Sequence, residues 1–250
     1  MKQIVKNFNN LVKKTIFKLK NKTNNKFHVS TFNKYIITVI CVLFAYIFYL
    51  LIPLLYDKNW VQNKIASKLS TEFNINLGNS FDISYRILPK PHYLIRNSKT
   101  SFAEIKVLNV FISQNNFFNK EKTRINEVSI KEANFFLLSN NLKTFYKKSE
   151  NKFSKKKIKI DNSNIFFKDN LNEVILIIKI SKAFLFFDEK NFFNLFDLNG
   201  EVFNIPFELN YQNTLDLQKQ IEIKAPDLQL KVINYFFKKD ENLSLSLIHI

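Results

Sequence analysis

The side chains able to do chemistry are few and widely separated. His28 falls in a lysine-rich leader, His92 follows the corner Pro89-Lys90-Pro91, and His249 belongs to the last hexapeptide. Asp161, Asp169, Asp188 and Glu189 sit in turn-like stretches, and none has an acid, base or nucleophile at a telling spacing. Such a pattern lacks the convergent groups that an active site needs. Cys41 is the single cysteine and lies in an apolar run, which leaves no disulfide framework, redox pair or zinc motif. The two glycines, Gly78 and Gly200, both fall at turn positions, so no glycine-rich loop cradles a phosphate. The expectation is therefore a protein that is not an enzyme, with no catalytic residue, no metal and no cofactor.

Apolar alternation is the stronger signal. In Glu201 to Tyr211, Phe203, Ile205, Phe207, Leu209 and Tyr211 share one face, while Asn204, Pro206, Glu208 and Asn210 share the other, which reads as one strand. QIEIKAPDLQLKV repeats the pattern with Ile221 and Ile223, then Leu228, Leu230 and Val232, broken by a turn at Ala225-Pro226-Asp227. These side chains could line an apolar groove: Phe203, Ile205, Phe207, Leu209, Tyr211, Ile221, Ile223, Leu228 and Leu230. The chemistry of such a groove is the binding of an apolar ligand; closure into a barrel or sandwich, or a second packed sheet, would bury the same face instead. The phenylalanine clusters at Asn134 to Leu138, Ile165 to Phe167, Phe184 to Phe187 and Phe192-Phe193 are apolar on both faces and read as core.

Several elements must position this face. YIITVICVLFAYIFYLLIPLLY, Tyr35 to Tyr56, carries no charge over 22 residues. At ~1.5 Å per helical residue it is long enough for a hydrocarbon core of ~30 Å. A cleaved signal peptide would have a shorter apolar region followed by small residues, whereas YDKNW follows here. Residues 1–34 hold nine lysines and no acid, which by the positive-inside bias places the N-terminus in the cytoplasm and the bulk of the chain across the membrane. Ile4, Phe8, Leu11, Val12, Ile16 and Leu19 would share one face of a leader helix on an anionic leaflet; a basic tail that only sets topology is the other reading.

Asp57 to Phe73 places Trp60, Val61, Ile65 and Leu69 at helical spacing, predicting a short amphipathic helix. Strand patterns follow at Asn74 to Leu77, Ile83 to Leu88, Tyr93 to Arg96, Glu104 to Ser113, Thr123 to Lys131, Asn134 to Leu138, Ile158 to Phe167, Glu173 to Ile180 and Ala183 to Phe187. The fold class expected is mainly β with an N-terminal transmembrane helix: a curved, groove-like antiparallel meander after the amphipathic helix. The net charge of +17 owes nine units to the leader, and the remainder is dispersed lysine, which argues against nucleic acid as a partner. Lys143 to Lys157 is a charged linker, either a solvated loop or a grip on anionic headgroups, and a possible boundary between two sheet segments.

The succession of an uncharged run, a helix ending in NINLG, then ISYRILPKPHYLIRN, FAEIKVLNVFIS and INEVSIKEANFFLL resembles the N-terminal region of the AsmA-like family of Gram-negative envelope proteins. The likeness covers residues 35 to about 140. Residues 158–232 match in style, through KIDNSNIFFKD and FDLNGEVFNIPFEL. The resemblance implies a single-pass protein of the inner membrane, facing the periplasm and taking part in outer-membrane biogenesis, with membrane phospholipid as its partner and an apolar sheet groove as the path. Outer-membrane assembly proteins are further partners it suggests. It gives Pro89 and Pro91 the role of a structural corner, suited to residues that lack an amide donor. An envelope assembly or scaffold factor that carries no lipid is the alternative.

Segment boundaries expected on this basis are a leader at 1–34, a span at 35–56, a helix and sheet at 57–142, the linker at 143–157 and further sheet at 158–244. Residues 245–250, LSLIHI, are what CTG TCT CTT ATA CAC ATC encodes, which resembles a transposase-type adapter. They are expected to be non-native, and the chain a fragment. About a dozen strands at ~4.8 Å would stack to about 60 Å, the root of a bridge rather than the whole of one.

Overall fold

The computed structural model describes residues 31–78, 81–115, 117–139, 152–214, 218–239 and 242–249, with side chains described as far as 235 apart from those of 214 and 218. The leader helix expected within 1–34 and most of the linker therefore lie outside the described residues. Two compact units are distinguished, Met1–Phe48 and Tyr49–Ile250.

Thr31–Leu51 forms α1, and a short 3₁₀ turn, Ile52–Leu55, follows it with Pro53 in its first turn. Thr31–Leu55 is apolar enough to cross a membrane. Its uncharged run is as expected. Lys58–Phe73 forms α2, started by Asp57, whose carboxylate accepts from the Trp60 amide at 2.7 Å, and ended by Asn74 in the left-handed region. Val61, Ile65, Leu69 and Phe73 recur every fourth residue and are buried. They join one core with Ile83, Ile95, Leu108, Val110, Val128 and Ile130 of the sheet. The strand expected at Asn74 to Leu77 is absent, because Asn74 is spent on capping α2 and Ile75 is buried directly behind it.

One open sheet of eleven strands makes up the rest, in sequence order from edge to edge. The strands are β1 Asp82–Arg86, β2 His92–Lys99, β3 Ala103–Ile112, β4 Ile125–Leu138, β5 Ile158–Lys168, β6 Val174–Asp188, β7 Phe193–Val202, β8 Ile205–Thr214, β9 Gln218–Ala225, β10 Leu230–Lys239 and β11 Asn242–His249. Neighbours are antiparallel except β4 and β5, which run parallel, so the sheet is mixed where a pure meander was expected. The linker explains the exception. A parallel neighbour needs a crossover of a dozen or more residues, and the segment from Ser139 to Lys157 supplies it. The sheet is continuous across the linker, since β4 and β5 pair directly, and the two segments expected on either side are one. The linker's described end is not a free loop: Phe153 N–H donates to Asn194 Oδ1 at 2.8 Å, and Phe187 N–H donates to the Ser154 carbonyl at 2.8 Å.

A line of irregular residues crosses the sheet. Asn97 in β2, Glu132 in β4 and Asn162 in β5 have φ of 49°, 52° and 46°. Pairing register places Asn97 opposite Lys106, Lys106 opposite Glu132, Glu132 beside Asn162, and Asn162 opposite Ser181. At this line the buried set shifts by one: Ile95 gives way to Ser98, Ile105 to Leu108, Ile130 to Ala133 and Ile180 to Ala183. A one-residue shift in a period-two pattern would normally turn the apolar face outward. Here β2 to β6 shift together, so the buried residues stay on one side. The line ends in β6, where the register against β7 slips between Ile180 and Lys182, leaving Ser181 as a bulge. Serines mend the ladder: Ser163 Oγ accepts from the Ala133 amide at 3.0 Å, and Ser181 Oγ donates to the Asn199 carbonyl at 2.9 Å. Lys106 and Glu132 form a surface ion pair on the same line. The crease explains why β4 reads in sequence as two strands and β6 as two strands, each broken where the phase changes.

Gly200, expected at a turn, lies instead within β7, between Ile180 and Phe207 and beside the end of the crease. A Cβ there would stand 2.7 Å from the Lys179 carbonyl oxygen and 3.1 Å from Leu198 Cδ2. Because the nearest obstacle is backbone, Gly200→Ala should separate β6 from β7 and lower unfolding stability by about 1–3 kcal/mol, read as a reduced denaturant midpoint in detergent solution.

Candidate functional site

The candidate site is the apolar face of β7 to β10. Beyond the crease these strands alternate without interruption, and register decides which residues share a side. Leu198 pairs with Leu209, Leu209 with Ile223, and Ile223 with Val232. Gly200 pairs with Phe207, Val202 with Ile205, Tyr211 with Ile221, and Ala225 with Leu230. Ile205, Phe207, Leu209, Tyr211, Ile221, Ile223 and Leu230 thus fall on a single face, as the alternation implied. All are half-buried. Phe207 and Leu209 pack against the main core, which continues the surface begun under α2.

Two of the expected lining residues are elsewhere. Phe203 is not in a strand: with Asn204 it forms the two-residue turn of the β7–β8 hairpin, at φ of 52° and 62°, and its side chain is 78% exposed. A pair of positive φ values is what a type I′ hairpin turn requires. Glu201 to Tyr211 is therefore the end of one strand, a turn and the start of the next. Alternation alone does not expose this: the apolar face passes from the even residues Leu198, Gly200 and Val202 to the odd residues Ile205, Phe207 and Leu209 across the turn, but Phe203 is apolar and odd-numbered and so extends the β8 series backwards. Leu228 ends the 3₁₀ turn Pro226–Leu228 between β9 and β10 and is 56% exposed. The corner residues Pro89 and Pro91 do lie in the connection between β1 and β2, as expected, with the Leu88-Pro89 peptide cis.

The opposite face is polar. Lys179 and Glu201 pair at 3.0 Å, Glu222 receives Lys224 at 3.3 Å and Lys231 at 3.4 Å, and Asn210 Nδ2 donates to Asp197 at 3.0 Å. The separation of faces is thus chemical as well as geometric. Among the described apolar residues of β7 to β10, only Leu198 and Ala225 are wholly buried. The near strands differ, since α2 covers them. There Tyr85 Oη donates to the Leu50 carbonyl at 2.7 Å, and burial pushes the Tyr85 phenol up to about 12, so it remains a donor at ordinary pH. Burial raises Tyr93 as well. At the rim of α2, Lys58 holds the Asp82 carboxyl below its ordinary value through a 2.8 Å hydrogen bond, and Lys64 does the same for Glu121.

Among the described residues no cluster of three or more His, Cys, Asp or Glu side chains could hold a metal ion. His92 is buried against Phe111, with ring centroids 5.1 Å apart, and Nδ1 lies 2.7 Å from the Lys90 carbonyl, which gives it a structural setting. No family model matches the chain, and no curated protein matches it closely enough to count as a relative.

Because Phe203 occupies a left-handed position that costs a residue with a Cβ roughly 1–2 kcal/mol, and its ring touches little, Phe203→Asn should raise stability by about 0.5–1 kcal/mol. Bound lipid should be unchanged. Denaturant unfolding together with lipid extraction from the purified variant checks both.

Proposed function

We propose that this chain is a membrane-anchored lipid-binding protein, in which the apolar face of β7 to β10 receives acyl chains while the polar face stays in water. One observation carries the reading: seven apolar or aromatic side chains share a face and stay only half-buried, where the same face of the near strands is wholly buried, on a sheet whose two edges are not joined. Burying apolar area is favourable at about 25 cal/mol per Å², so an acyl chain gains from lying there without any directional contact. Such binding leaves the ligand free to slide along the strands, which suits transfer better than tight storage.

The resemblance to AsmA-like proteins extends this to a single-pass inner-membrane protein, facing the periplasm, that serves outer-membrane biogenesis by carrying phospholipid. The chain's own features support the extension by their order: a basic leader, an uncharged span, a covering helix and a long one-faced sheet. The non-enzymatic assembly factor stands as the second reading, and it would have the same face closed by protein.

Alternating photo-crosslinker placement separates the two. A photoactivatable residue at Ile221 or Ile223 should capture phospholipid in membranes, and one at Gln220 or Glu222 should not. Capture of protein in place of lipid at 221 and 223 would favour the assembly factor, and capture without alternation would contradict a one-faced site.

A further inference from the structure

A second apolar surface lies at one end of the same sheet. The β1–β2 connection and the long loop from Ser113 to Arg124 meet there, since Ile112 N–H donates to the Pro91 carbonyl at 3.1 Å and His92 pairs with Phe111. Leu88 at the tip of the first is 81% exposed, and Phe118 in the second is 82% exposed. Leu55, at the end of the apolar run, is 85% exposed, and Leu54 beside it is exposed as well. Lone exposed leucines are ordinary, but several large apolar side chains on one end of a sheet call for an occupant.

The chain's own contacts say what it is. Phe117 stacks on Tyr49, with ring centroids 5.3 Å apart, and Phe118 lies tilted against it at 5.5 Å. Tyr49 Oη donates to the Gln114 carbonyl and accepts from Phe117 N–H at 3.3 Å, while Tyr56 Oη donates to the Phe117 carbonyl. Tyr49 lies well inside the uncharged run, whose last preceding charge is Lys34 and whose next is Asp57. Counted from Tyr35, a hydrocarbon core of ~30 Å takes in ~20 helical residues and reaches about Leu55. Tyr49 is thus roughly 9 Å short of the end of the hydrocarbon at ~1.5 Å per residue. A loop held against Tyr49 cannot stay in water if the helix spans. The β1–β2 connection and the Ser113–Arg124 loop carry Lys90, Lys120, Lys122 and Arg124, with Arg86 preceding the first, against one carboxylate within them, Glu121, itself paired with Lys64 at 2.9 Å; Asp57, beyond Leu55, is spent on capping α2. Cations flanking an apolar tip suit the phosphates of a leaflet above its acyl chains.

We infer that this end of the sheet is a membrane-inserted edge: Leu88 and Phe118, with Leu54 and Leu55, enter the leaflet next to the anchor, and the surrounding Lys and Arg residues bind its headgroups. The inference rests on the anchored reading of Thr31–Leu55 and adds that the sheet grows out of the bilayer itself, so lipid need not cross water to reach its strands.

The test uses the full chain in vesicles of phosphatidylcholine and phosphatidylglycerol brominated on the acyl chains, at shallow or deep positions. Single tryptophans are read on a Trp60→Phe background. Phe118→Trp and Leu88→Trp should be quenched, more by shallow than by deep bromines, as expected for side chains ~5–10 Å into the interface. Leu43→Trp in the anchor should be quenched more by deep ones. Leu171→Trp, equally exposed in the turn at the opposite end of the sheet, should not be quenched. Quenching at Leu43→Trp without quenching at Phe118→Trp and Leu88→Trp would overturn the inserted edge and leave the anchor standing. Absence of quenching at Leu43→Trp would overturn the anchor and the edge with it. Equal quenching at Leu171→Trp would also overturn a localised edge.

Discussion

A sheet with one apolar face must put that face against something, and the rest of this structure follows from how little protein is available to do so. Among the described residues after the apolar run, α2 is the one helix of any length, and its four buried side chains form a single stripe. That stripe is enough for the first strands, where Ile95, Leu108, Val110, Val128 and Ile130 are almost wholly buried. Farther on, full burial becomes sparse. Leu198 and Ala225 are buried, but the residues around them are only half so. The gradient along one continuous face, from helix-covered to uncovered, is what makes the distal strands a candidate for binding a ligand that is itself apolar.

The crease keeps that face continuous. Long strands in a twisted sheet cannot all remain regular, and here the irregularity is collected into one line through Asn97, Glu132, Asn162 and Ser181. Each left-handed residue with a side chain carries a local cost, and asparagine carries less of it than most. The chain has only two glycines and spends neither on a positive φ, so asparagine does much of that work, at helix caps, turns and the crease alike. With the line in register, the buried row stays on one side of the sheet from β2 to β6, and the alternation starts afresh on the far side with the same sense.

Much of this was legible in the sequence, and the failures have specific causes. The uncharged run, the amphipathic helix and nearly every strand follow from hydrophobic period. The faces of Ile205 to Tyr211 and of Ile221 to Ile223 were also readable, because alternation fixes side-chain direction whatever the neighbours are. Alternation misplaces Phe203, since an apolar residue at that odd position extends the β8 series backwards and a type I′ turn made of Phe and Asn lacks the usual glycine signal. It splits β4 and β6, since a crease looks like a gap. The parallel join of β4 to β5 was hidden because strand direction is set by the crossover, about which side-chain period says nothing. The apolar end of the sheet was missed for a related reason: Leu88 and Phe118 are thirty residues apart and come to the same end only through the pairing of β2 with β3.

The central claim, that the uncovered part of the face is occupied by lipid, is tested most directly by weighing what the protein carries. Native mass spectrometry of the full chain, after exchange into a delipidating detergent, should find phospholipid retained by the wild type and lost from an Ile223→Lys variant of unchanged circular dichroism. Equal lipid on both, or none on either, would contradict the account and leave the sheet as a scaffold.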